Sequence, residues 1–142
     1  MPPSGPGRRR AARRQALDIL YQADVIGRPP TRVMAEWRSA GRQVQPYADS
    51  LVQGVERHLE GIDDVLGRHA EEWTVARMAV VDRTILRVAC YELATGVPAG
   101  VVVNEAVEAA KELSTEDSGR FVNGVLGRIA REGAAEGLGD DA

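Results

Sequence analysis

Apolar residues recur at three- and four-residue intervals through most of the chain, and Gly or Pro interrupts them at turns. A first helix is expected from about Arg8 or Arg9 to Ile26. Its apolar stripe is Ala12, Ala16, Ile19, Leu20 and Ala23, and Gly27, Pro29 and Pro30 stop it. Thr31 is a fair N-cap for a second helix through Met34 and Trp37 to about Gly41, with few apolar positions to anchor it. Pro46 suits the first turn of a third helix, whose buried stripe would be Ala48, Leu51, Val52, Val55 and Leu59. Gly61 is expected to break that run. Ile62, Val65 and Leu66 then give a short fourth helix ending near Ala70.

From Val80 to Ala94 apolar residues cover more than half the circumference: Val81, Ile85, Leu86, Val88, Ala89 and Leu93. A central helix with neighbours on several sides has that pattern. Gly96 and Pro98 end it. The β-branched Val101, Val102 and Val103 would suit a strand, but Val103, Ala106, Val107, Ala110 and Leu113 continue at helical spacing into a sixth helix. Ser114 to Gly119 reads as a loop. A seventh helix follows, with Val122, Val125, Leu126 and Ile129 inward. The expected fold is all-α, about seven helices and no strand. Residues 1–8 read as a flexible leader, 9–132 as one helical domain (about 9–60 and 61–132), and 133–142 as a flexible acidic tail.

Composition narrows the class. A chain of 142 residues can bury a core without covalent staples, and with 4% aromatic residues that core must be mainly aliphatic. The one cysteine, Cys90, sits in an apolar helical run and reads as a buried structural thiol. A lone thiol makes no internal disulfide, which suits a reducing, cytoplasmic setting. No apolar stretch approaches the roughly 20 residues of a spanning helix, so no membrane is expected. Net charge is only -3, but it is unevenly placed. Arg8, Arg9, Arg10, Arg13 and Arg14 crowd the first fourteen residues without an acid among them, and acids dominate after Arg131. A local anionic partner fits that asymmetry better than a uniformly adhesive surface.

Catalytic and metal signals are thin. His58 and His69 stand eleven positions apart with no acid at metal-ligand spacing, and His58 reads as solvated on the third helix. There is no phosphate-cradling Gly-rich loop and no nucleophile elbow. The adjacent Asp63 and Asp64 project about 100° apart on a helix and read as first-turn acids. The lack of such motifs shifts the expectation from catalysis towards binding, and no metal site is expected.

Binding signals are richer. On the first helix Arg10, Arg14, Leu17 and Tyr21 share one face, with Arg9 and Arg13 beside it. An arginine ladder beside an aromatic suits single-stranded RNA, and a solvated basic face with Tyr21 at the core edge is the alternative. The stretch from Ser114 to Phe121 opens a helix, adds Arg120 and carries the only phenylalanine, but Glu116 and Asp117 would repel phosphate there. Those acids suit capping, or accepting from base amino groups.

The head RRRAARRQALDILYQADV, the central VVDRTILRVACYEL and the run VPAGVVVNEAVEAAKELSTEDSGRFVNGVLGRI together resemble the NusB family of transcription antitermination factors. The resemblance covers nearly all of Arg8 to Arg131, loosely between Gly27 and Val44. It implies two perpendicular helical bundles, no catalysis and no cofactor. It also implies binding of boxA single-stranded RNA with NusE, a small-subunit ribosomal protein, in an antitermination complex on RNA polymerase. The implied RNA residues are Arg9, Arg10, Arg13, Asp117, Ser118, Arg120 and Phe121. Tyr21, Asp82, Arg83 and Arg87 are expected at the protein-partner surface, which moves Tyr21 from base stacking to protein contact. Arg14 stands where relatives often carry an acid, and Gly119 lacks a side chain that some relatives have. Three alternatives stay open: a helical interaction or oligomerisation module, a homodimer that covers the RNA surface, and the RNA-binding module of an RNA-modifying system. For the last, the chain leaves no room for a catalytic domain.

Overall fold

The computed structural model describes residues 6–71 and 73–139. They form seven α-helices: α1 (Pro6–Ile26), α2 (Pro30–Ser39), α3 (Pro46–Arg57), α4 (Leu59–His69), α5 (Val80–Ala94), α6 (Ala99–Leu113) and α7 (Glu116–Glu132), plus short 3-10 turns at Val75–Arg77 and Glu136–Gly139. No strand occurs among the described residues. The fold is all-α. The chain divides into two compact units, Met1–Arg57 and His58–Ala142.

In the first unit α1 packs on both α2 and α3, and α2 packs on α3. The α1 stripe is buried as its spacing predicts, at Ala12, Ala16, Ile19, Leu20 and Ala23, and Leu17 joins it. Leu17 therefore belongs to the core and not to the exposed arginine face. α2 is better anchored than its sequence suggests, because Val33, Met34 and Trp37 are all buried. Its start is capped from outside. Pro29, not Thr31, holds the N-cap position and offers no capping side chain. Glu56 of α3 supplies the acceptor, taking the Thr31 amide (3.0 Å) and hydroxyl (2.9 Å to Oε2). The Trp37 indole donates to Gln22 Oε1 (3.0 Å), tying α2 back to α1.

The second unit is built around α5, which packs on α4, α6, α7 and the C-terminal turn. Ile85, Leu86, Val88, Ala89 and Cys90 of α5 are buried, as are Val122, Val125, Leu126 and Ile129 of α7. Two expectations shift. α6 buries Ala106 and Ala110 as expected, but Val102 is buried in place of Val103, Val107 is half-buried and Leu113 is exposed. The loop before α7 shrinks to Ser114 and Thr115, because the Thr115 hydroxyl accepts from the Ser118 amide (3.0 Å) and starts the helix at Glu116.

Gly61 does not break the third helix. The interruption falls at His58, and Gly61 lies inside α4. There a Cβ would come within 2.8 Å of a Leu138 methyl, so the glycine lets that side chain approach and makes no turn. Leu138 arrives through an ordered C-terminal segment. Gly133 closes α7 in the left-handed conformation (φ 62°), and the Ala134 amide bonds Ile129 O at 3.1 Å. Ala135 is then buried. Part of the expected acidic tail is thus folded against α4, and residues 140–142 lie outside the described residues. Of the expected leader, residues 1–5 also lie outside them, while Pro6, Gly7 and Arg8 already belong to α1.

Candidate nucleic-acid interface

Each unit contributes one patch. In the first, α1 carries Arg8, Arg9, Arg10, Arg13 and Arg14 within seven residues, and Arg8, Arg9 and Arg10 are exposed. Arg13 is not: it is only 8% exposed. Its guanidinium lies 5.9 Å from the centroid of the Tyr47 ring, and that of Arg9 lies 4.8 Å from the same centroid. Tyr47 stands in the first turn of α3. The loop leading to it is fixed by α1 itself, since Gln15 Oε1 accepts from the Gln45 amide (2.8 Å) and Gln15 Nε2 donates to Gln43 O (2.7 Å). Further along α1, Asp18 is exposed by area, but partial desolvation by its neighbours raises its carboxyl above the usual range against the pull of Arg14 and Arg42. Arg42 itself lies 3.3 Å from the centroid of the Trp37 ring. Near the C-terminal end of α1, Tyr21, Val25 and Ile26 are exposed at 44%, 58% and 48%, a run of apolar surface with no basic residue in the last turn.

In the second unit the expected residues of α7 separate into two groups. Asp117 and Arg120 are exposed and form an ion pair with each other one turn apart. That pair satisfies both charges on the surface and offers little net stabilisation. Phe121 is half-buried. Ser118 faces inward and is 8% exposed. Its hydroxyl lies 2.9 Å from the Ser114 hydroxyl and 3.2 Å from that of Thr115, and it donates to Asp82 Oδ2 (3.2 Å). Asp82 is itself buried, and its Oδ1 has no hydrogen-bond partner among the described residues. Burial raises the Asp82 carboxyl above its usual range, only partly offset by Ser118. Gly119 is buried, and a Cβ there would sit 2.9 Å from Lys111 Cγ, so the missing side chain makes room for the lysine stem.

Arg83 and Arg87, expected at a partner surface, are both engaged within the unit. Arg83 donates to the carbonyls of Val75 and Ala76 at 3.3 Å, closing the 3-10 turn ahead of α5. Arg87 grips Asp63 through two bonds of 2.9 Å each, a fork-on-carboxylate geometry. Asp63 thus serves as an ion-pair partner.

Sequence reasoning missed three residues here. Tyr47 carries the two arginines, Glu56 caps α2, and Glu132 lies 3.3 Å from Nε2 of the buried His69. His69 also places Nδ1 2.7 Å from Val65 O, while its own carbonyl accepts two bonds from Arg128 (2.7 and 3.0 Å). His58 is half-buried and stacks on Tyr91 with ring centroids 5.9 Å apart, so it is not the solvated side chain its spacing suggests. The long sequence separations of these pairs left no local signal. Among the described residues no group of His, Cys, Asp or Glu is arranged to hold a metal ion. Burial pushes the Cys90 thiol up to about 12, with Asp63 adding to the effect. No helix is long and apolar enough to cross a membrane among the described residues.

The described residues thus form a two-unit all-helical chain with an exposed arginine cluster on its first helix. The chain belongs to the NusB family, whose sequence profile matches residues 10–131. It is 45% identical over 128 residues to the transcription antitermination protein NusB of Salinispora tropica, spanning 86% of this chain and 94% of that one. It is 50% identical over 120 residues to the NusB of Rubrobacter xylanophilus, spanning 83% and 86%. Among solved structures, T. maritima NusB superposes with a TM-score of 0.78 at 35% identity, covering 92% of this chain and 94% of that one. The antitermination factors NusB and NusE in complex with dsRNA give a match of TM-score 0.76 at 30% identity, covering 87% and 96%.

Proposed function

We propose that this protein is a transcription antitermination factor that binds boxA RNA of nascent ribosomal transcripts together with NusE, within the antitermination complex on RNA polymerase. It acts by binding, without catalysis or cofactor, in the cytoplasm. One observation carries the RNA part of the reading: the exposed arginines on the first turns of α1, in a chain of the NusB family. Arg9 and Arg10 contact phosphates, and Arg13 supports them from beneath. On α7, Asp117, Arg120 and Phe121 face the RNA. Ser118 orders that turn from inside through Thr115 and Asp82. The solved complex of the antitermination factors NusB and NusE with dsRNA supports RNA binding in the company of NusE.

The exposed apolar run at Tyr21, Val25 and Ile26 supports a protein-binding role for the far end of α1, and NusE is the partner assigned to it. In the second unit Asp82, Arg83 and Arg87 are proposed to shape a partner-facing part of α5 from their contacts with Ser118, the Val75–Arg77 turn and Asp63. A single compact basic patch binds RNA weakly alone and gains affinity when a partner extends the surface. The test is fluorescence anisotropy of a labelled boxA-like RNA and a scrambled control, titrated with and without NusE. Selective binding that tightens with NusE is the expected result. Equal binding of both RNAs, or no effect of NusE, would overturn the reading in favour of a helical interaction module or a homodimer.

A further inference from the structure

Two arginines of α1 converge on one aromatic ring that the arginine-rich stretch itself does not contain. Arg9 and Arg13 lie four residues apart, one turn of helix, and both place their guanidinium groups within 6 Å of the Tyr47 centroid. The two are unlike in exposure. Arg9 is exposed, and Arg13 is buried. The ring is therefore an element of the arginine patch, held against α1 by the Gln15 bonds to Gln43 and Gln45.

We propose that Tyr47 is a positioning residue for RNA binding, whose ring holds the Arg9 guanidinium in place with its donors turned to solvent, Arg13 supporting the ring from the buried side. The inference rests on the RNA-binding reading above and adds a residue to it. Stacking occupies the flat face of a guanidinium. The five N–H donors lie in its plane and stay available for a phosphate. An arginine free in solvent loses rotamer freedom when it grips a phosphate; one already leaning on a ring has lost part of it beforehand. A lysine gains little from the same ring, because its charge is compact and strongly hydrated. The ring also accounts for why α1 spends Gln15 on two backbone contacts to a loop. Those contacts fix the start of α3, and with it the ring.

The experiment uses the full chain, a labelled boxA-like RNA and saturating NusE. Tyr47→Phe keeps the ring and should bind within twofold of the parent. Tyr47→Leu keeps apolar bulk without the ring's negative face and should weaken binding about two- to fivefold, with helical content unchanged. Arg9→Lys, at an exposed position that does not threaten folding, should lose a similar factor in the Tyr47 protein and nothing further in Tyr47→Leu. Strictly additive losses would assign the ring to direct base stacking and overturn the positioning role, as would full-strength binding by Tyr47→Leu. A separate arm, Arg9→Ala with Arg10→Ala, probes the parent reading. If that pair binds RNA as the parent does, the α1 patch is not the RNA surface and both proposals fall. If it loses binding while Arg9→Lys and Tyr47→Leu do not, only the positioning role fails.

Discussion

At the start of α1 basic side chains stand in solvent and lean on an aromatic ring. At the start of α7 the polar side chains divide, with Asp117 and Arg120 outside and Ser118 turned inward onto Asp82. The first patch owes its shape to contacts with soft geometry, which cost little to rearrange. The second owes its shape to directional hydrogen bonds in a buried cluster, where loss of one partner strands another. The difference separates side chains open to solvent from side chains that hold a helix start in place. Ser118 and Asp117 are neighbours in sequence and the family resemblance implies one role for both, but Ser118 is buried and Asp117 is exposed.

That contrast can be broken most directly at α1. Arg9→Ala with Arg10→Ala should lower boxA affinity by about tenfold or more and flatten its dependence on log salt by about 1.4, the value for two lost contacts to a single strand. Thermal stability should stay within about 0.5 kcal/mol, as for exposed substitutions generally. A salt titration by anisotropy and a melting curve check both halves of the statement.

At α7 the expectation reverses. Ser118→Ala removes the partner of Asp82 Oδ2 and leaves the buried carboxylate without a hydroxyl donor. It should cost about 1–3 kcal/mol in urea denaturation, with RNA affinity of the folded protein little changed. A large affinity loss at unchanged stability would move Ser118 into the binding surface.

Asp82 sharpens the same point through pH. Its carboxyl is raised by burial, so the folded chain holds that proton more tightly than the unfolded chain does. The associated stabilisation is complete below the usual carboxylate value of about 3.9 and is lost as pH rises through the raised value. Asp82→Asn does not titrate. Its stability relative to the parent should therefore climb from about pH 4 to neutrality, read as the difference between two urea midpoints at each pH. A flat difference would show that Asp82 ionises as freely in the folded chain as in the unfolded one.

The smallest effect concerns Cys90. It is fully buried and its thiol is pushed up to about 12. Iodoacetamide should leave it untouched in the folded protein and label it in urea, as mass spectrometry would show.

Much of this architecture was legible from spacing alone. The stripe of α1 and the bounds of α5 follow from apolar periodicity, because both helices bury a wide face against several neighbours. Where reading failed, the deciding contact came from far along the chain. Gly61 looks like a breaker until Leu138 is seen against it, and the caps of α2 and the platform under Arg9 come from α3. The burial of Val102 rather than Val103 in α6 has a different origin: a run of three valines fits several helical phases, and only packing chooses among them. The arginine cluster was visible as charge, but its division into exposed Arg9 and buried Arg13 was not, since both flank the same stripe at equivalent spacing.

Lys111 is the only lysine in the chain, and it lies at the end of α6 with its stem against Gly119, beside the start of α7. Amine chemistry directed at side chains has therefore a single address on this protein, in α6 against Gly119, which lies two residues from both Asp117 and Phe121 in α7. A fluorophore or cross-linker placed there would watch the α7 patch without any engineered handle, and no lysine on the arginine-bearing helix would compete for it.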